Sequence, residues 1–174
     1  IDQVMYLVGD PEPLRVSAAI FGCLGRDIPN YHYRKMWSEE TRNPGGTYDV
    51  EESCTALLRT SGPVITLMGA WAQNIDEDEQ FIDIMGTKGG VRLTYCGGYK
   101  LYTEKDGEFV TETFEPGDSN MFEAEIADFL RCVRSGERSR AGIDSAVKTS
   151  LILQGAYDSA EAGREVSLAD YPRL

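Results

Sequence analysis

The side chains best suited to chemistry are concentrated in one segment, Gly25–Gly46, which is polar, aromatic and interrupted by proline and glycine. Five of its residues are candidates for lining a substrate cleft: Tyr31, His32, Tyr33, Arg34 and Trp37. Aromatic rings and guanidinium groups suit polyhydroxylated ligands, because the rings cover carbon faces and the guanidinium donates hydrogen bonds. Long segments without a clear period are often functional. We predict a cleft wall here; the alternative is a loop that only packs against its own domain.

His32 is the single histidine of the chain. An imidazole could transfer a proton near neutral pH, but no Ser, Cys or carboxylate lies at a recognisable spacing to pair with it. The acidic residues Asp49, Glu51 and Glu52 lie at the start of a predicted strand, and a metal there would need further oxygen ligands from elsewhere. We predict a solvated strand end and no catalytic residue in the chain. The competing hypothesis is a hydrolase or isomerase that combines His32 with these carboxylates.

A glycine-rich run, Gly86-Thr87-Lys88-Gly89-Gly90, superficially resembles a phosphate-binding loop. In such loops the glycines follow a strand and open a helix, whose first N–H groups hold the phosphates. Here the run lies between two strand patterns with no helix after it, so we predict a turn. We therefore predict no nicotinamide dinucleotide site, and no cofactor, in these residues.

The composition of the 174 residues is that of a soluble globular domain, with 41% hydrophobic and 26% charged residues. The formal net charge of -12 argues against nucleic acid and anionic membranes as partners, since both need clustered Lys and Arg. The four cysteines, Cys23, Cys54, Cys96 and Cys132, form no C-x-x-C pair, so we predict no metal site. We expect reduced thiols and a cytoplasmic protein.

Short alternating or apolar runs separated by Gly- and Pro-containing turns predict strands over much of the chain. The predicted strands are Leu14–Leu24, Val50–Arg59, Val64–Trp71, Phe81–Met85, Val91–Tyr95, Tyr99–Tyr102 and Phe109–Phe114, with a last short strand at Val166–Leu168.

The last third of the chain changes to a helical period. A helix over Asn120–Arg134 is predicted by a capping-box pair, a glycine stop and one apolar stripe. The stripe consists of Phe122, Ile126, Phe129, Leu130 and Val133. A second helix is predicted over Asp144–Ala162, and the residues available for its close packing are Ala146, Val147, Leu151, Ala156 and Ala160.

The opening residues also have a helical pattern. Val4, Leu7 and Val8 share one face, and Gly9 followed by Asp10-Pro11 ends the helix. Because no capping residue or first turn precedes this pattern, we expect the chain to enter in the middle of a helix, as a fragment of a longer protein.

Strands followed by helices predict an α+β fold with one large, mainly antiparallel (mixed) open sheet and helices packed on one face. Val64–Trp71 is apolar on both of its sides, and such a strand needs cover on both sides. We therefore expect the other sheet face to be available for oligomerisation, as a homodimer or homotetramer. The alternative is that Gly25–Gly46 covers that face.

Several segments, taken in order, match a known pattern. Asp49–Arg59 is similar to a strand of the form D-V-E-D-x-x-x-A-x-x-R, and Ile84–Gly90 to a hairpin of the form x-x-G-[TS]-x-G-[GST]. Phe122–Phe129 is similar to a penultimate helix, and Ala156–Val166 to a final helix with its exit. Together they resemble the C-terminal domain of the Gfo/Idh/MocA oxidoreductases over nearly the whole chain.

The resemblance implies the substrate-side and assembly domain of an NAD(P)-dependent oxidoreductase that acts on a sugar, cyclitol or related polyol by hydride transfer. The family carries a catalytic Asp and His in a pattern like D-x-G-x-H-x-x-D, and Ile1-Asp2 resembles the end of that pattern. The catalytic Lys, Asp and His and the nucleotide-binding Rossmann domain would then lie upstream.

On this interpretation the chain's partner is its own N-terminal Rossmann domain. NAD or NADP is expected for the full-length parent, and the isolated chain is expected to be inactive. The competing hypothesis, from a different class, is a stand-alone, non-catalytic binding or scaffold module of the same fold.

Overall fold

The computed structural model describes residues 1–23, 47, 49–73, 79–95, 97–117 and 120–172. They form two compact units, the first made of Ile1–Asn74 and Ala141–Leu174 and the second of Ile75–Arg140. The predicted α+β class is confirmed. The described strands form two four-stranded antiparallel sheets, one in each unit, where the sequence analysis expected a single sheet.

Most predicted elements occur within a few residues of their expected bounds. In chain order the elements are α1 (Asp2–Leu7), β1 (Pro13–Phe21), β2 (Ser53–Thr60), β3 (Val64–Ala70), β4 (Phe81–Gly86), β5 (Gly89–Thr94), β6 (Tyr99–Lys105), β7 (Glu108–Phe114), α2 (Met121–Ser135), α3 (Ile143–Ala162) and β8 (Val166–Ser167), followed by a 3-10 turn at Leu168–Asp170. The first strand ends earlier than predicted, and the second begins later.

The sheet of the first unit has the order β3-β2-β1-β8. Because β8 has only two residues, it pairs with β1 only at Arg15 and Val16. Further along β1, the Ala18 N–H donates to Ser159 Oγ of α3 at 2.9 Å. The same hydroxyl donates to the Arg164 carbonyl at 2.7 Å. Ser159 is fully buried, so a helix side chain continues the hydrogen bonding of β1 where the short strand stops.

The hydrophobic core lies between this sheet and α3. Its buried members are Met5, Val16, Ala56, Leu58, Ile65, Ile152, Ala156 and Leu168. Gly155 allows the close approach of the helix, since a Cβ there would lie 2.4 Å from Leu168 Cδ2 and 2.9 Å from Val16 Cγ1.

The face of α3 that packs on the sheet differs from the predicted one. Of the five predicted packing residues only Ala156 is fully buried, and Ile152, Gly155 and Ser159 complete the buried face. Apolar residues occur on several sides of this helix, and Leu153 remains exposed, so the apolar pattern alone does not select one face.

Helix α1 also packs through a partly different face. Met5 is buried in the core, and Ile1, Val4 and Val8 pack against it, whereas Leu7 is exposed. The predicted end of the helix is confirmed: Gly9 has a φ of 85°, and its N–H donates to the Tyr6 carbonyl.

The second unit is an antiparallel meander of order β4-β5-β6-β7, followed by α2. Tyr99 stacks on Phe114 across the last two strands, with ring centroids 4.6 Å apart. The N-terminus of α2 is capped by Asn120, whose Oδ1 accepts from the N–H groups of Phe122 and Glu123. Gly136, in the left-handed conformation, ends the helix.

The apolar stripe predicted on α2 is present, but it is exposed. Its members Phe122, Ile126, Phe129, Leu130 and Val133 are all exposed, and no residue of α2 is fully buried among the described residues. The helix therefore leaves a large apolar surface exposed.

Candidate functional site

The acidic residues at the start of β2 form a hydrogen-bonded cluster in the first unit. Glu52 is only 3% exposed, and its carboxylate accepts the Cys23 N–H. Its own N–H donates to the Phe21 carbonyl at 3.0 Å, and its carbonyl accepts the Trp71 N–H at 3.0 Å. The prediction of a solvated strand end is therefore wrong for Glu52, because this carboxylate caps the backbone that follows β1.

Glu51 binds two aromatic side chains. The Tyr157 hydroxyl, on α3, donates to Glu51 Oε1 at 2.5 Å, and the Trp71 indole N–H donates to the Glu51 carbonyl at 2.8 Å. The hydrogen bond from Tyr157 lowers the pKa of Glu51, and the same bond raises the pKa of Tyr157. At neutral pH the pair is therefore a carboxylate and a phenol, which does not favour proton abstraction by either group.

The neighbouring thiol is also held in its protonated form. Partial burial, followed by the negative charge of Glu51, raises the pKa of Cys54. A thiol with a raised pKa is a weak nucleophile, because the thiolate is the reactive species. Cys54 packs against the core from its position on β2. Among the described cysteines, Cys23, Cys54 and Cys132 are free.

A second polar cluster joins the end of α1 to α3. Lys148 Nζ donates to the Asp10 carbonyl at 2.7 Å and to Asp10 Oδ2 at 3.0 Å, and it lies 3.9 Å from Glu12 Oε2. Ser145 Oγ donates to the same Asp10 oxygen at 3.2 Å. Asp10 has a φ of 52°, an uncommon conformation for a residue other than glycine. The ammonium group thus fixes the direction in which the chain leaves α1.

The structure does not place the predicted cleft residues. Tyr31, His32, Tyr33, Arg34 and Trp37 lie outside the described residues. Asp49, the remaining member of the predicted acidic group, is exposed. The hypothesis of a hydrolase or isomerase that combines His32 with these carboxylates stays a prediction, because His32 lies outside the described residues.

The glycine-rich run forms the predicted turn. It joins β4 to β5, with Gly86 opposite Gly89. A Cβ at Gly89 would lie 2.5 Å from the Tyr102 carbonyl oxygen, so this glycine is required by the close approach of β6. The run leads into a strand and supplies no helix N-terminus, so it does not fit the phosphates of a dinucleotide.

Two further features are absent from the described residues. They contain no group of three or more His, Cys, Asp or Glu side chains arranged to hold a metal ion. Within the same part of the chain, no helix combines the length and apolarity that crossing a bilayer requires.

Comparison with known proteins shows where this fold belongs. A family model described as "Oxidoreductase family, C-terminal alpha/beta domain", that of the Gfo/Idh/MocA proteins, matches residues 1–168. The chain belongs to this family.

The relatives of this Gfo/Idh/MocA domain are longer proteins. A D-xylose 1-dehydrogenase (NADP(+)) from Haloferax volcanii is 40% identical over 63 residues, which are 36% of this chain and 19% of that protein. An aldose-aldose oxidoreductase from Caulobacter crescentus, solved with glycerol, has a TM-score of 0.69 at 22% identity, covering 95% of this chain and 44% of that one. A levoglucosan dehydrogenase, solved with NADH and levoglucosan, has a TM-score of 0.73 at 17% identity, covering 97% and 47%. The chain spans less than half of the length of these proteins, and the structural likenesses establish its fold.

The Glu51 cluster joins two of the segments that resemble the Gfo/Idh/MocA pattern. Glu51 and Glu52 belong to the strand motif, and Tyr157 belongs to the final-helix motif 106 residues later. The sequence analysis named both carboxylates but missed Tyr157 and Trp71 as their partners. The only signal for them was their position at the ends of matched segments, since nothing in local spacing relates residues so far apart.

Proposed function

We propose that this chain is the substrate-side and assembly domain of an NAD(P)-dependent oxidoreductase that acts on a sugar, cyclitol or related polyol by hydride transfer. The observation that carries the proposal is the family match over residues 1–168. It is supported by the named activities of the relatives, which include dehydrogenases of D-xylose and levoglucosan.

The nicotinamide cofactor belongs, in this proposal, to another part of the full-length protein. The glycine-rich run does not fit the phosphates of a dinucleotide, because it is a strand-to-strand turn closed against β6. An N-terminal Rossmann domain would bind NAD or NADP, which supplies hydride chemistry, and would carry the Lys, Asp and His that the family resemblance implies. The 174 residues alone would then be inactive.

The proposal is tested with the full-length protein and with the 174-residue chain side by side. We expect the full-length protein to reduce NAD or NADP with at least one member of a panel of aldoses, cyclitols and anhydrosugars. The isolated chain should neither bind the cofactor in calorimetry nor turn over. A full-length protein that binds no nicotinamide dinucleotide would favour the alternative of a non-catalytic binding or scaffold module.

Assembly forms the second part of the proposal. The sheet face of the first unit opposite α3 exposes Phe21, Val64 and Met68, the last with 84% of its surface exposed. We expect this open face to support a homodimer or homotetramer, because its burial would remove apolar surface from water.

Light scattering of size-separated full-length protein tests the assembly. Met68→Lys should shift the protein towards the monomer, because it would bury an unpaired ammonium group in the interface. Met85→Lys is the matched control, since Met85 is 91% exposed on β4 of the other sheet. An unchanged mass for Met68→Lys, or equal dissociation by both variants, would contradict the use of this face.

A further inference from the structure

The hydrogen-bonded pair of Glu51 and Tyr157 is open to solvent. Tyr157 is 46% exposed, and Glu51 is partly exposed. Glu51 Oε1 accepts the Tyr157 hydroxyl, and among the residues that the structure describes no side chain donates to Glu51 Oε2. The pair therefore presents oxygen atoms that have unused acceptor capacity.

The two oxygen-bearing groups are held in fixed positions. Glu51 is anchored through its carbonyl by the Trp71 indole, and the next residue along the chain, Glu52, is buried and bonded to the backbone on both sides. Tyr157 follows Ala156, which is packed in the core between α3 and the sheet. A ligand that binds here does not have to order flexible side chains, which lowers the entropic cost of binding.

The chemistry of the pair selects the kind of ligand. The phenol hydroxyl donates its hydrogen bond to Glu51. The carboxylate and the phenol oxygen can therefore accept further hydrogen bonds but have no free donor. A fitting ligand must bring at least two donors on neighbouring atoms and must carry no negative charge. The half-exposed ring of Tyr157 adds an apolar surface beside these acceptors. Adjacent hydroxyl groups on the carbon skeleton of a polyol meet all of these requirements.

We propose that Glu51 and Tyr157 form a polyol-binding subsite, in which neighbouring hydroxyl groups donate to Glu51 Oε2 and to Tyr157 Oη while the carbon face lies against the ring. The inference rests on the proposed function in treating this polyol as the oxidoreductase's substrate. The subsite is a specificity element, because neither group is suited to proton transfer and neither is placed in the catalytic machinery.

Steady-state kinetics of the full-length protein with D-xylose tests the subsite. Tyr157→Phe keeps the ring and removes the hydroxyl, and Glu51→Gln keeps the shape and removes the charge. Glu51→Gln should raise KM for D-xylose about tenfold, the loss expected for one hydrogen bond to a charged group, and Tyr157→Phe about fivefold, the loss expected for one to a neutral group. The values of kcat and of KM for the cofactor should stay unchanged, which a general loss of structure would not produce.

Tyr171→Phe is the matched control. The Tyr171 hydroxyl also donates to a carboxylate, that of Asp158 on α3. Removal of this hydroxyl therefore disrupts a second Tyr–carboxylate pair, which is not part of the proposed subsite. The subsite is refuted if KM for D-xylose is unchanged in both test variants, or if Tyr171→Phe raises it equally.

Direct binding separates this inference from the proposed function. If the full-length protein reduces no nicotinamide with any member of the panel, the proposed function has failed, and calorimetric titration of D-xylose into wild-type and variant proteins decides on the subsite. Binding that weakens about tenfold in Glu51→Gln supports it. Equal binding by both proteins, or no binding to the wild type, overturns it.

Discussion

The two sheets have four antiparallel strands each, yet different interactions stabilise them. The sheet β3-β2-β1-β8 is covered by α3, and the whole buried cluster lies in that unit. In the described part of β4–β7 and α2 no residue is fully buried. That sheet relies on its hydrogen-bonded ladder, on two stacked ring pairs and on exposed ion pairs.

The difference shows that a regular strand pattern does not by itself provide a core. Burial of apolar surface contributes about 25 cal/mol per Å², whereas an exposed ion pair contributes at most about 1 kcal/mol. The first unit therefore carries most of its stability internally. The second unit leaves the apolar stripe of α2 exposed, so this stripe contributes little to the stability of that unit.

The largest loss of stability is expected when a core side chain of the first sheet is truncated. The matching truncation in the second sheet should cost less. Leu58→Ala should lower the free energy of unfolding by about 3 kcal/mol, because Leu58 is fully buried. Leu101→Ala on β6, where the side chain is half-buried, should cost about 1 kcal/mol. Urea denaturation measures the loss, and hydrogen exchange of the two strands assigns it to a unit. Equal losses would show that both sheets have a comparable core.

Removal of the Ser159 hydroxyl should lower the free energy of unfolding nearly as much as Leu58→Ala. Ser159→Ala leaves the Ala18 N–H and the Arg164 carbonyl without their partner, and an unsatisfied buried polar group costs about 1–3 kcal/mol. We expect a loss of about 2 kcal/mol in thermal or urea unfolding. Ser150→Ala is the control, since that hydroxyl is exposed on the same helix. A similar loss in the control would mean that the helix, and not the hydrogen bond to β1, is responsible.

A methyl group added where α3 packs on β1 should cause a smaller loss of stability. Gly155→Ala places a Cβ against Leu168 and Val16, and overpacking of this kind costs about 1–3 kcal/mol. We expect about 1.5 kcal/mol, because the helix propensity of alanine offsets part of the strain. Gly69→Ala on β3 should be close to neutral, since its Cβ would meet nothing within 4 Å. A neutral Gly155→Ala would place the helix further from the sheet than the structure does.

The smallest effect is expected in the second sheet and depends on pH. Arg92 donates to both oxygens of Asp83, which lowers the pKa of this carboxyl group. A depressed pKa in the folded state contributes stability above the ordinary aspartate pKa, and this contribution disappears as the pH falls through the depressed value. Urea denaturation over a pH series should show a small deficit for Asp83→Asn near neutral pH that vanishes in acid. A deficit that persists in acid would have another cause.

The sequence predicts local structure well in this protein because strands and helices have different periods and most turns contain glycine. It does not predict how elements combine. The division of the strands into two sheets depends on pairing between distant segments, and the buried face of α3 depends on Gly155, which the apolar pattern does not mark. The site shows the same limit: Glu51 and Glu52 are conspicuous in the sequence, but their partners Tyr157 and Trp71 become neighbours only in the fold.

The Ser159 hydroxyl has a consequence for how this protein behaves at high concentration. An uncovered strand edge is a template on which the strand of another molecule can add, and many β-proteins protect such edges with charges, proline or bulges. Here β8 covers only two residues of β1, and a buried hydroxyl from α3 occupies the next amide. A helix that packs the core thus also occupies one amide of this edge beyond the two-residue strand, and that amide is not available to pair with a foreign chain.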